Sequence, residues 1–84
     1  MEKKVGEVEH YFTNINVAAI KITDGSLQVG DTIHIVGTTT DFSQPIYSME
    51  IDQISVDEVS AGDEVGIKTT QRVREGDAVY QIVG

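Results

Sequence analysis

The chain has 84 residues, 39% of them hydrophobic and 24% charged, which bounds it to one small domain over residues 1–84, with an ordered core and little room for a deep active-site cavity. Fourteen acidic residues face six basic ones for a formal net charge of −8, a field that repels nucleic-acid phosphates at long range and argues against DNA as a partner. Cysteine is absent, which excludes disulfides and thiolate metal sites; no apolar run of leader or membrane length follows Met1-Glu2-Lys3-Lys4, so the chain reads as a cytoplasmic monomer without a membrane partner.

Apolar and polar residues alternate through most of the chain, and no long segment keeps a helical period. That pattern, with eight glycines and a single proline, predicts an all-β fold of six strands. The first covers residues 5–12, with Gly6, Val8, His10 and Phe12 on one face and Val5, Glu7, Glu9 and Tyr11 on the other. Thr13-Asn14-Ile15-Asn16 turns into a second strand, 17–23, where Ala18, Ile20 and Ile22 share a face. Asp24-Gly25 marks a sharp turn. The third strand, 32–36, points Ile33 and Ile35 inward. Residues 37–44 read as a polar loop, with Pro45 at the entrance to a long fourth strand, 46–54, which turns Tyr47, Met49 and Ile51 in and Ser48, Glu50 and Asp52 out. The fifth, 64–68, buries Val65 and Ile67. The last, 78–83, is apolar on both faces, as a strand sheltered on both sides is.

One phrase occurs three times: apolar-x-x-Gly-Asp-x-apolar. It spans Leu27 to Ile33 around Gly30-Asp31, Val59 to Val65 around Gly62-Asp63, and Val73 to Val79 around Gly76-Asp77. Glycine supplies a positive φ without a Cβ clash, and aspartate caps local N–H groups. Three corners of this kind launch three strands alike, which suits a small closed barrel with no exposed sheet edge.

Chemistry is sparse. His10 and His34 have no partners at metal-ligand spacing. The pairs Glu7/Glu9 and Glu50/Asp52 fall on faces expected to be wet, where carboxylates keep ordinary acidity and make poor general acids. A nucleophile elbow and a phosphate-binding glycine loop are both missing. The chain is therefore read as non-enzymatic, with no cofactor and no metal. The candidate binding site is Thr39, Thr40, Asp41 and Phe42 in the 37–44 loop, since loops on a rigid barrel commonly carry binding. Phe42 either stands beside the threonine hydroxyls to stack on a partner or tucks over the barrel end as a plug. Arg72 and Arg74 form the one basic cluster of the second half, and are the place where RNA would be touched.

Leu27-x-Val29-Gly30-Asp31-x-Ile33-x-Ile35 resembles the second domain of the translational GTPases. So does Ser48-Met49-x-Ile51 followed by Val59-x-Ala61-Gly62-Asp63-x-Val65-Gly66-Ile67, which is similar to the elongation factor Tu pattern. The ending Arg74-Glu75-Gly76-Asp77-x-Val79-Tyr80, with Thr39-Thr40-Asp41-Phe42, looks like a narrower group: small stand-alone translation-factor-like proteins and the carboxy-terminal barrel of collagenase-like peptidases, a family tied to RNA modification. The resemblance implies a six-stranded Greek-key-like barrel of the elongation-factor type. The chain is read as a closed barrel that docks on a protein or ribonucleoprotein partner, with RNA as an alternative that the net charge disfavours. In elongation factor Tu the position matching Ser48 is a glutamate and that matching Glu64 an asparagine, and the two help hold the aminoacylated end of tRNA. Here they are a hydroxyl and a carboxylate, and Glu64 would repel a nearby phosphate.

Overall fold

A computed structural model describes residues 1–83. The described residues are all-β, with ten strands where six were expected. In chain order they are β1 Glu2–Phe12, β2 Val17–Ile22, β3 Ser26–Gln28, β4 Thr32–Val36, β5 Asp41–Pro45, β6 Met49–Ile51, β7 Ile54–Val56, β8 Glu58–Ser60, β9 Glu64–Lys68 and β10 Ala78–Ile82. Eight of them form one antiparallel sheet in the order β5-β4-β10-β1-β2-β9-β6-β7, and β3 pairs with β8 beside it.

The three Gly-Asp corners are built alike. Gly30, Gly62 and Gly76 have φ of 98°, 100° and 90°, a region open to glycine and costly for other residues. In each corner the aspartate exchanges two hydrogen bonds with the residue three positions earlier. Its N–H donates to the carbonyl of Gln28, Ser60 or Arg74 at 3.0, 3.0 and 3.1 Å. Its carboxylate accepts from the N–H of the same residue at 3.0, 2.9 and 2.8 Å. The apolar residues on either side of each corner, Leu27/Ile33, Val59/Val65 and Val73/Val79, are all buried. Two corners also stand back to back, because Leu27 pairs with Val59 across β3 and β8.

Between the corners, Ile20, Ile22, Ile33, Ile35 and Ile67 fill the interior with essentially no solvent exposure, each worth roughly 1.5–3 kcal/mol of burial. The sheet curls around them. Gln44 on β5 reaches across to the end of β9: its amide donates to the Lys68 carbonyl at 2.9 Å and accepts from the Thr70 N–H at 2.7 Å. No strand ladder joins β5 to β7 among the described residues, and this buried amide is one of the bonds that tie the two sides together.

Four expectations need correction. Residues 41–45 are a strand and not a loop, paired with β4 from Thr32↔Pro45 to Val36↔Asp41. Pro45 therefore ends a strand at the sheet edge, where its missing N–H is tolerated, and does not open the next one. Residues 46–54 are not one strand. Ile46 is held by the first corner, donating its N–H to Asp31 and accepting from Gly30 at 2.8 and 3.0 Å. Tyr47 then swings out to 61% exposure, and β6 and β7 form a hairpin with Ile51 opposite Ile54. The two-face assignment of β1 fails because bulges interrupt its register between Lys4 and Gly6 and between Val8 and His10. A bulge adds one residue and reverses the faces beyond it, so Val5 and Val8 both reach the core.

Candidate functional site

The expected site residues come together. Residues 37–40 form the hairpin turn between β4 and β5, closed by the Gly37 N–H on the Thr40 carbonyl at 2.7 Å. Thr38, Thr39, Thr40 and Asp41 line an open notch with Gln71 and Arg72, and the Arg74 Nε donates to the Thr39 hydroxyl at 2.8 Å. Gly37 has a steric role here: a Cβ on it would lie 1.8 Å from the Asp77 carboxylate, so the third corner packs directly under the notch. Phe42 does not stand ready to stack. It is 8% exposed and belongs to the core, the plug alternative, because β5 alternation turns it inward. Asp41 makes no ion pair with the arginines among the described residues and binds His34, whose Nε2 is 2.5 Å from its carboxylate, while Nδ1 is 2.9 Å from Glu2. Hydrogen bonds to Asp41, then to Glu2, hold the His34 pKa above its ordinary value, against a smaller opposing effect of desolvation.

A second surface was not foreseen. Between the β1–β2 turn and the β6–β7 hairpin lies an open, mostly apolar groove of about 490 Å³. Its depth comes from register: Ala19 on β2 sits opposite Gly66 on β9, and Gly66 sits opposite Glu50 on β6. Small residues in adjacent strands leave a depression, which Val17 and Val65 also line. Phe12 and Ile15 stand at one side, 46% and 57% exposed, although large apolar side chains are usually buried. They are held in place. The Ile15 N–H donates to the Phe12 carbonyl at 3.3 Å, Thr69 donates to the Asn16 carbonyl at 2.9 Å, and the Tyr11 hydroxyl donates to the Asn16 side chain at 3.2 Å. The His10 ring meets Phe12 edge-on at 4.6 Å.

Carboxylates ring this groove: Glu50, Asp52 and Glu64 all line it. Lys21 is the cation near them, 4.0 Å from Glu64. Desolvation, then a hydrogen bond with Glu64 and that group's charge, push the Glu9 carboxyl above its ordinary pKa, and Lys21 pulls the other way. Two sequence features lie in the groove, Ile15 between two asparagines in a turn and the small Ala19 and Gly66 on strands, but neither marks a surface until the strands are aligned.

A corner-launched, curled antiparallel sheet of this kind defines the β-barrel class found in translation factors. The chain belongs to the elongation factor Tu domain 2 family, whose profile matches residues 16–80. It is 37% identical over 78 residues to an uncharacterized protease of Methanocaldococcus jannaschii, and 31% identical over 78 residues to a collagenase of Porphyromonas gingivalis. In each case 92% of this chain is matched, but the chain spans only 19% and 22% of those proteins. Among solved structures it is similar to the C-terminal domain of a Geobacillus thermoleovorans protein assigned as a U32 peptidase, with a TM-score of 0.88 at 15% identity over 96% of this chain and 93% of that one. The selenomethionine variant of that domain gives a TM-score of 0.86 at 16% identity, covering 92% and 96%. Both likenesses establish the fold.

Proposed function

We propose that the chain is a non-catalytic interaction module that docks, through the Phe12–Ile15 groove, on a protein or ribonucleoprotein of the translation or RNA-modification machinery in the cytoplasm. The observation that carries this reading is the pair of large apolar side chains kept half exposed over an apolar depression on a rigid sheet. Contiguous exposed apolar surface of that kind marks interaction sites. The chemistry of the chain supports a non-catalytic reading: the groove carboxylates Glu50, Asp52 and Glu64 are exposed, the buried Asp77 carboxylate is taken up by the Arg74 N–H, and among the described residues the histidines engage carboxylates and aromatic rings.

One observation favours RNA as a second reading. Lys3, Lys4 and Lys21 each have a carboxylate partner, whereas Arg72 and Arg74 make no ion pair among the described residues and sit beside threonine hydroxyls. Crosslinked pull-down from native lysate, with and without RNase, separates the two. The groove reading expects capture that survives RNase and is lost in the Phe12→Ser/Ile15→Ser variant. Capture that needs RNA, survives that variant and is lost in Arg72→Gln/Arg74→Gln would move the function to the notch.

A further inference from the structure

We infer that the groove takes a cationic peptide segment of a partner protein, one aromatic or long aliphatic side chain entering the apolar floor and flanking lysines or arginines meeting the acidic rim. This rests on the reading of the groove as the docking face and adds the chemistry of its occupant. The floor, of Val17, Ala19 and Gly66, offers a guest little beyond apolar contact, so the floor selects an apolar anchor. The rim selects charge. Glu50, Asp52 and Glu64 surround that floor, and neither arginine of the notch lines it. Lys21 is the near cation, and at 4.0 Å from Glu64, with both side chains partly in solvent, such a pair neutralises little.

Beside this rim the Glu9 carboxyl is held above its ordinary pKa, first by desolvation and then by a hydrogen bond with Glu64 and that group's charge, with Lys21 pulling the other way. A formal net charge of −8 adds to the field of the rim at long range. Other occupants fit worse. A nucleotide or RNA strand would place phosphates against three carboxylates. A second copy of this chain docking groove to groove would set each acidic rim against its twin, because a two-fold interface joins like patches.

The test uses three labelled peptides with the same Trp-Leu anchor and flanks of Lys/Arg, Gln or Glu, measured by fluorescence anisotropy against the whole chain. The cationic peptide is expected to bind about tenfold tighter than the neutral one, an advantage that shrinks as salt rises from about 50 to about 300 mM. The Glu50→Gln/Asp52→Asn/Glu64→Gln variant, with folding checked by circular dichroism, should erase that advantage and keep the anchor-dependent binding. A Glu9 pKa that falls on saturation with the cationic peptide would support the same contact. Equal binding of the cationic and neutral peptides, abolished by Phe12→Ser, overturns the charge assignment and leaves the groove reading intact. Tighter binding of the acidic peptide likewise overturns it, and no binding of any of the three overturns both. Displacement of the cationic peptide by an RNA oligonucleotide competing at Phe12 also defeats the inference.

Discussion

Asp52 and Gln53 turn the β6–β7 hairpin with φ of 52° and 66°. Two consecutive positive values define the mirror-image turn that suits the twist of a two-residue hairpin, and Asn-Gly or Asp-Gly usually fills it. Aspartate tolerates the region, but glutamine there costs about 1–2 kcal/mol. Gln53→Gly is therefore expected to raise stability by about 0.5–1 kcal/mol, after allowing for the greater freedom of glycine in the unfolded chain. Urea denaturation checks this, and an unchanged or lower midpoint would contradict it. Both strained residues line the groove, in keeping with the tendency of backbone strain to gather at functional sites. The same dipeptide explains why residues 46–54 read as one strand: a turn without glycine or proline leaves no punctuation. The Gly-Asp corners were legible for the opposite reason, since glycine and aspartate supply separate, necessary parts of one turn.

At the scale of elements, His34 joins three strands. From β4 it binds Glu2 on β1 and Asp41 on β5, and the Tyr80 ring of β10 lies 6.4 Å away. Glu2 and Asp41 are the charges that face it, while Lys4, opposite Tyr80 in the register, is engaged with Glu7. Its pKa is raised above 6.5 by hydrogen bonds to Asp41 and Glu2. A raised folded-state value means stabilisation that is complete below the unfolded value and lost as pH rises through the folded one. The urea midpoint should therefore fall from about pH 6.5 upward, and His34→Gln should flatten that slope; an equal slope in the variant would contradict the clamp. His34 read from sequence as an isolated histidine because its partners are 32 and 7 residues away. β5 was hidden for a related reason. One of its two inward positions is Gln44, and a polar residue in the core looks like loop until the Lys68 carbonyl and the Thr70 N–H that satisfy it are seen.

Across the whole molecule, the fold class followed from alternation and from the corners, while the groove did not, because it is made by register. Ala19, Gly66 and Glu50 become neighbours only when β2, β9 and β6 align. The notch could be read because four of its residues are consecutive. The β1–β2 turn separates the two surfaces: His10, Tyr11 and Thr13 border a cleft with Arg72 and Arg74, whereas Phe12 and Ile15 belong to the groove. An acidic apolar face and a small basic patch thus flank one turn, and the acidic one is the proposed docking face. Amide chemical-shift mapping, with the cationic peptide titrated into the isotope-labelled chain, decides between them. The prediction is saturable shifts at Phe12, Ile15, Val17, Ala19 and Gly66, with Thr38, Thr39, Arg72 and Arg74 unmoved. Shifts centred on the threonines and arginines, with the groove silent, would contradict it.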